Sequence, residues 1–372
     1  MVYKKCNKRI YILLPDLKGG GAEKLSVNLA NHWVKLGYLV KIILLNNNGI
    51  LKEQLSKKID IIDLKITKIR QLFFKLPKVL KFDRPDVLLV SMWPLTSLAA
   101  LSIFIFRIRV KVFLTEHINL SETIKNELNI NNFLVKIFIN MTFRLSDGII
   151  AVSSGVKKSI LDYYTNANSD QIKVIYNPVI TEEMLNTKDL KYDIREIWGD
   201  EYNHRILSVG TLKEQKNHKA LIKAFSLLPI NDSYKLIILG DGPLKDKLQK
   251  YINELKQNTR IEIHPFTLKP EKYYQTATLF ILSSKWEGFG NVLVEALFYD
   301  LPIISTNCDY GPAEILENGR YGKLVELREI YNLNNVIEDY DYSNQHKIKK
   351  FEKSMNYSVQ IISKKYISLF FE

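Results

Sequence analysis

Two glutamates, Glu287 and Glu295, stand eight positions apart in the stretch S-K-W-E-G-F-G-N-V-L-V-E-A-L-F-Y-D from Ser284 to Asp300. Carboxylates so placed could act as an acid and base pair, or each could accept hydrogen bonds from a different part of one ligand. The neighbouring residues favour the second use. Ala277 to Leu282 is an apolar run of strand length, and Val292 to Phe298 is apolar at helical spacing, so the turn from Glu287 to Asn291 joins a strand to a helix. Asn291 is expected to cap that helix, and Gly288 and Gly290 let a ligand approach the backbone of the turn. A helix start offers unpaired N–H groups and a positive dipole end, which suits a diphosphate. Glu287 then lies at the mouth of the turn, beside whatever the phosphates carry. Glu295, about one turn inside the helix, can accept hydrogen bonds from a vicinal diol such as a ribose, each worth roughly 1.5–3 kcal/mol. Spaced acids by themselves are ordinary turn and helix residues. The glycines, the cap and the flanking strand set these two apart.

The elements that must position them follow a βα alternation. Strand-like runs occur at Ile10 to Leu14, Val40 to Leu45, Ile59 to Asp63, Val87 to Ser91, Lys111 to Thr115 and Gly148 to Ala151. A second set occurs at Arg205 to Val209, Lys235 to Leu239, Ile261 to His264, Leu279 to Leu282 and Pro302 to Ser305. Helical patterns separate them, the signature of parallel sheets covered on both faces. The expected fold class is therefore α/β, two facing Rossmann-like doubly wound domains with a cleft between them. The pattern breaks around Pro178. Residues 1–177 are expected to form the first domain, 178–345 the second, and 346–372 a C-terminal helix returning towards the first, within a helical stretch starting near Asn344.

The chain has 372 residues, long enough for two cores, with 46% hydrophobic and 25% charged residues. Cys6 and Cys308 are the only cysteines and lack metal-ligand spacing, so free thiols in a reducing compartment are expected. The apolar run at Ile10 to Leu14 ends at Pro15 without a small-residue cleavage site, and reads as a first strand, not a leader. The stretch Leu95 to Phe106 is too short to span a bilayer. The formal net charge is +13, and the excess lies in the first half: residues 1–180 hold 27 Lys and Arg against 13 Asp and Glu, and residues 181–372 hold 26 against 27. Such a half suits an anionic membrane surface, and Ile66 to Phe82 interleaves cations with Leu, Val and Phe as an interfacial segment would. The same segment could also be an amphipathic helix packed on a sheet, kinked or divided at Pro77.

Several short motifs occur in a set order: G-G-G-A-E-K at Gly19 to Lys24, T-E-H at Thr115 to His117, A-V-S-S-G-V at Ala151 to Val156, Y-N-P at Tyr176 to Pro178, and G-T-L-K-E-Q-K-N at Gly210 to Asn217. L-G-D-G-P at Leu239 to Pro243, the two-glutamate stretch and G-P-A-E-I-L at Gly311 to Leu316 follow. In this order, over nearly the whole chain, the sequence resembles the family 4 retaining glycosyltransferases of the GT-B fold, of the type that builds bacterial surface polysaccharides. The resemblance implies that Gly20 and Gly21 close on the donor diphosphate, and that Lys216 pairs with it and stabilises the leaving group. It implies that Gly288, Phe289, Gly290 and Asn291 hold the donor diphosphate and sugar, that Glu287 lies by the transferred sugar, and that Glu295 holds the ribose. His117 matches a histidine that bonds a sugar hydroxyl or positions the acceptor, so His117 and Glu287 are the implied catalytic pair. Many family members carry arginine where this chain has Thr211. The bidentate cation is then missing, or Lys213 or another base substitutes.

The implied protein is a metal-independent hexosyltransferase without a cofactor. Its donor is a nucleotide sugar, UDP preferred and GDP allowed. Its acceptor is a lipid-linked saccharide of O-antigen, lipopolysaccharide, capsule or exopolysaccharide synthesis. No nucleic acid is expected, and the implied location is cytoplasmic, peripheral to the inner face of the cytoplasmic membrane. The D-Y-D of Asp339 and Asp341 looks like a metal-binding pair but lies in a polar stretch away from the expected donor site. Two other readings stay open: a non-catalytic nucleotide-sugar binder, and a two-carboxylate glycoside hydrolase.

Overall fold

A computed structural model describes residues 7–372 except 119, 121–130, 166, 200–201, 230–232 and 341–348. Cys6 and Asp341 lie outside the described residues. The chain forms two compact units, the first from residues 1–179 with 357–372, the second from residues 180–356.

The first unit is a seven-stranded parallel sheet of order β3-β2-β1-β4-β5-β6-β7. Its strands are β1 (Arg9–Leu14), β2 (Leu39–Leu44), β3 (Asp60–Asp63), β4 (Val87–Ser91), β5 (Lys111–Glu116), β6 (Gly148–Ala151) and β7 (Ile172–Val174). Its crossover helices include α1 (Gly21–Lys35), α2 (Leu72–Asp83), α3 (Leu95–Ile105), α4 (Asn132–Phe143) and α5 (Ser154–Tyr163). All five residues of β4 are buried, as expected of a central strand covered on both faces. Ser153 caps α5 by accepting from the Val156 amide, and Asn131 caps α4 by accepting from that of Phe133.

The second unit is a six-stranded parallel sheet of order β10-β9-β8-β11-β12-β13. It comprises β8 (His204–Val209), β9 (Tyr234–Leu239), β10 (Ile261–His264), β11 (Leu279–Leu282), β12 (Ile303–Thr306) and β13 (Lys323–Val325). Its helices include α6 (His218–Phe225), α7 (Lys245–Glu254), α8 (Asn291–Phe298) and α9 (Lys350–Met355). In each sheet the strand order reverses beside the first strand, between β1 and β4 and between β8 and β11. Ligands bind beyond the carboxyl ends of strands at such points.

Two short edge strands, β7 and β13, escape the sequence pattern because three residues carry no periodicity. The helical stretch expected from Asn344 is two helices. The first, α9, packs on α8 of the second unit through Phe351 and Phe298, whose ring centroids are 5.4 Å apart. The second, α10 (Val359–Phe371), packs in the first unit, where Phe370 meets Trp33 of α1 at 5.7 Å and Phe113 of β5 at 4.8 Å. Ser358 caps α10 with a hydrogen bond from the Ile361 amide, which fixes where the second helix begins. The division near Asn356 replaces the domain boundary expected at 345–346.

Ile66 to Phe82 also folds differently from its membrane reading. Helix α2 runs through Pro77 undivided, and Leu72, Leu76, Pro77 and Leu80 are buried. Its apolar spacing serves the core, leaving Phe74 and Phe82 outward at 61% and 89% exposure.

Candidate functional site

The switch point of the second sheet explains how distant residues meet. Strand β8 leads into the loop Gly210 to Asn217, and β11 leads into the turn Ser283 to Gly290. Because β8 and β11 are hydrogen-bonded neighbours, their carboxyl-end loops lie side by side. The Lys285 amide donates to the Gln215 carbonyl at 2.8 Å, the Gln215 side chain donates to the Trp286 carbonyl at 2.8 Å, and the Ser283 hydroxyl donates to the Lys216 carbonyl at 2.8 Å. Three bonds tie the two loops together.

At their centre Lys216 Nζ donates to Glu287 Oε1 at 2.6 Å, and the Ser284 hydroxyl donates to the same oxygen at 2.6 Å. Both side chains are nearly buried, at 14% and 7% exposure. Beneath the pair, the Thr306 hydroxyl donates to the Ser284 carbonyl at 2.6 Å. The Cys308 thiol is buried, and burial together with the Glu287 carboxylate pushes its pKa well up, so it is a neutral thiol here. His218, which opens α6 just after Lys216, is buried, and burial with the nearby Lys216 charge lowers its pKa to about 3. A neutral imidazole leaves the Lys216 ammonium as the local cation.

Asn291 does not cap α8: it is the first helical residue, and Gly290 is the N-cap at φ 102°, with no side-chain cap. That conformation suits glycine and not asparagine, which moves the helix start by one residue. Nearby, Gly311 has φ 105°, and a Cβ there would collide with the Phe289 carbonyl, so the G-P-A-E-I-L segment touches the turn backbone directly. Gly288, Phe289 and Asn291 all lie on this turn and helix start.

Glu295 lies in α8 at 7% exposure, and its Oε2 accepts from the Tyr274 hydroxyl at 2.7 Å. Tyr274 is itself buried and stacked on Tyr299, with ring centroids 5.5 Å apart. Glu287 faces an ammonium and Glu295 a phenol, so the two carboxylates occupy distinct environments. Neither Ser284 nor Tyr274 was foreseen. Ser284 had a signal in its place three residues before Glu287; Tyr274, 21 residues from its partner, had none.

The first unit carries its expected residues at the carboxyl edge of its own sheet. Gly20 is the N-cap of α1 and Gly21 its first residue, so the glycine run is a helix start and not merely a loop. A Cβ on Gly20 would collide with the carboxylate of Glu23, which is buried and whose pKa burial raises. His117 follows β5. Its Nδ1 is buried without a partner among the described residues, and burial lowers its pKa to about 4, leaving a neutral ring near pH 7. Beside it in sequence, Glu116 is fully buried and holds the loop between β4 and α3, accepting from the Trp93 amide at 3.0 Å and the Thr96 hydroxyl at 2.7 Å. Burial raises its pKa to about 7.

Among the described residues no three His, Cys, Asp or Glu side chains stand together as a metal set, and no helix is long and apolar enough to cross a membrane. Thr211 is exposed in the loop after β8.

Residues 19–183 match the family described as Glycosyltransferase Family 4, and residues 193–355 match Glycosyl transferases group 1. An N-acetylgalactosamine-N,N'-diacetylbacillosaminyl-diphospho-undecaprenol 4-alpha-N-acetylgalactosaminyltransferase of Campylobacter jejuni is 32% identical over 199 residues, 54% of this chain and 52% of that protein. The chain therefore spans about half the length of that relative. The amylovoran biosynthesis glycosyltransferase AmsD of Erwinia amylovora is 27% identical over 371 residues, 96% of this chain and 98% of that protein. Among solved structures, Anabaena HepE in complex with UDP-glucose superimposes with a TM-score of 0.79 at 20% identity, over 97% of this chain and 98% of that one. Two Rossmann-like parallel-sheet domains of the GT-B class are thus the fold of this chain.

Two measurements test the described geometry. Removing one partner of a buried pair leaves an uncompensated charge, so Lys216→Met should lower stability by about 3–5 kcal/mol in urea unfolding, and Glu287→Gln with Lys216→Met should recover part of the loss. A loss no smaller in the double variant would deny the coupling. For Glu116, the folded state keeps a proton between about pH 4.5 and 7 that the unfolded chain releases, so its contribution to stability falls as pH rises through that window. Glu116→Gln should flatten that part of the Tm profile; an unchanged slope would place its source elsewhere.

Proposed function

We propose, for a chain whose residues 19–183 match Glycosyltransferase Family 4 and whose residues 193–355 match Glycosyl transferases group 1, a retaining glycosyltransferase that moves a sugar from a nucleotide-diphosphate donor to a hydroxyl of a lipid-linked glycan. The observation that carries this reading is the Lys216–Glu287–Ser284 constellation at the switch point between β8 and β11, with Glu295 one turn further along α8. An ammonium, a helix start and two separately held carboxylates match the parts of a nucleotide sugar: diphosphate, transferred sugar and ribose.

In the proposed reaction the diphosphate lies against Gly290, Asn291 and the start of α8; for Gly20 and Gly21 we keep the diphosphate-binding role that the resemblance implies. Lys216 turns from Glu287 towards the phosphates and offsets the charge that grows on the leaving group. Glu287, released from its ammonium, accepts a hydroxyl of the transferred sugar, and Gly288 and Phe289 shape the turn beneath it. Glu295 accepts the ribose hydroxyls. His117, neutral near pH 7, bonds the donor sugar or the incoming acceptor. Retention follows from attack on the face the diphosphate leaves, with a leaving phosphate oxygen taking the acceptor proton. No metal enters this sequence. Thr211 supplies no charge where many relatives have a guanidinium, which makes Lys216 the principal cation of the loop.

UDP is the preferred donor nucleotide, with GDP second, in keeping with the UDP-glucose bound by HepE. A lipid-linked acceptor accords with the undecaprenol-linked substrate named for the Campylobacter relative, and we place exopolysaccharide synthesis beside the amylovoran biosynthesis named for AmsD. O-antigen, lipopolysaccharide or capsule synthesis would use the same chemistry. The basic first half suits an anionic membrane surface, and the proposed place of action is the cytoplasmic face of the membrane.

A thermal-shift panel of nucleotide sugars tests the donor site, because a ligand bound only by the native state raises Tm by mass action. One UDP- or GDP-sugar should raise Tm, and Glu295→Ala should weaken its binding by about tenfold, the loss of one charge-assisted pair. No shift with any nucleotide sugar would overturn the proposal.

A further inference from the structure

Tyr274 is fully buried, and its surroundings fix where its hydroxyl points. It lies in the short helix Glu271–Thr276, which leads into β11. Its ring stacks on Phe280 of β11, with centroids 5.8 Å apart, and on Tyr299 at the end of α8, at 5.5 Å. The short helix is itself tied down at its end. The Trp198 indole N–H donates to the Thr276 hydroxyl at 2.7 Å, the Arg205 guanidinium to the Thr276 carbonyl at 2.6 Å, and the Gln275 side chain to the Thr187 carbonyl at 2.8 Å. A ring held on these sides has little freedom to swing.

The hydroxyl so placed donates to Glu295 Oε2 at 2.7 Å. Burial, with the charge of Glu295, pushes the Tyr274 pKa well above its ordinary value, so the phenol keeps its proton. Glutamate has three side-chain torsions, and a donor in a fixed place selects among their staggered settings and sets the plane of the carboxylate. The plane matters for a diol. Two vicinal hydroxyls must meet the lone pairs of one carboxylate together, and hydrogen bonds weaken steeply off line. Glu295 stands four residues after Asn291, the first residue of α8, which is about 6 Å along the axis at 1.5 Å per residue. That span suits a ribose next to a diphosphate at the helix start.

We propose that Tyr274 is a positioning residue for the nucleotide: by holding Glu295 Oε2 it orients the carboxylate towards the ribose diol, and so sets the preference of the site for a ribonucleotide over one without the diol. The inference rests on the ribose role proposed above for Glu295 and adds the residue that enforces it. With no exposed surface, Tyr274 acts through Glu295 and not by touching the ligand. A carboxylate already oriented spares the ligand the cost of ordering it, which is how such a contact raises affinity. A tyrosine that only filled the core would be replaced by phenylalanine without effect on which nucleotide is preferred.

Isothermal titration calorimetry of the full chain with UDP and GDP, each beside its 2′,3′-dideoxy form, separates the two roles. For whichever base binds better, wild type should prefer the ribonucleotide by about tenfold or more, the scale of charge-assisted bonds to a carboxylate. Tyr274→Phe keeps the ring and its stacking. It should bind the ribonucleotide about fivefold more weakly and the dideoxy form within about twofold of wild type. In a Glu295→Ala background the same substitution should change ribonucleotide binding by less than about twofold, because no carboxylate is left to hold. Glu295→Asp, which leaves Tyr274 in place and withdraws the carboxylate by one methylene from its hydroxyl, should lose the same preference. An undiminished preference in Tyr274→Phe or in Glu295→Asp, an equal weakening of both nucleotides, or additive losses in the double variant would overturn the inference while the ribose role of Glu295 stood. Equal binding of both forms by wild type, with Glu295→Ala changing neither, would overturn that role and the inference together.

Discussion

The buried contact between Lys216 and Glu287 is the constraint on which the second unit's chemistry depends. A carboxylate and an ammonium at 2.6 Å, both largely removed from water, are stable only if their remaining valences are satisfied. Ser284 meets one of those requirements, and the three loop-to-loop hydrogen bonds hold the geometry in place. The pairing also gives the site its poise. In the proposed reaction a diphosphate would compete for the same ammonium and so free a carboxylate oxygen for a sugar hydroxyl. Electrostatic preorganisation of this kind needs no large rearrangement of the backbone.

Topology makes the contact possible. The strand order reverses between β8 and β11, so the loops after these two strands lie side by side although 71 residues separate Lys216 from Glu287. The first unit repeats the device between β1 and β4, with the glycine run after β1 and the Glu116-anchored loop after β4. In both units the chemistry-bearing residues follow the carboxyl ends of strands, and the apolar strands serve only to fix them.

Much of this was legible in the sequence, and the failures have physical causes. Eleven strand runs could be read because period-two and fully apolar runs are local signals. A glycine at Gly290 could be read because the turn demands it there, at φ 102°. Asn291 misled: its capping propensity was real, but the positive φ at the preceding position requires glycine, and the helix starts accordingly. Strands β7 and β13 were too short to carry a pattern. Tyr274 could not be foreseen, because its bond to Glu295 is a tertiary contact between separate helices. The outward face of α4 was hidden by the opposite problem. Apolar residues cover most of α4 despite Asn132, Lys136 and Asn140, and only burial separates Phe133 and Ile137 from Val135 and Ile139.

The central claim is that Glu287 acts on the transferred sugar while other residues hold the nucleotide. The most direct measurement is the rate of sugar transfer from the donor found by thermal shift to a membrane-extracted lipid-linked acceptor, comparing wild type with Glu287→Gln at equal donor occupancy. Glu287→Gln should bind the donor within a few-fold of wild type and transfer it about a hundredfold more slowly, the scale of losing one polar contact made in the transition state. An unchanged transfer rate in Glu287→Gln would contradict the account.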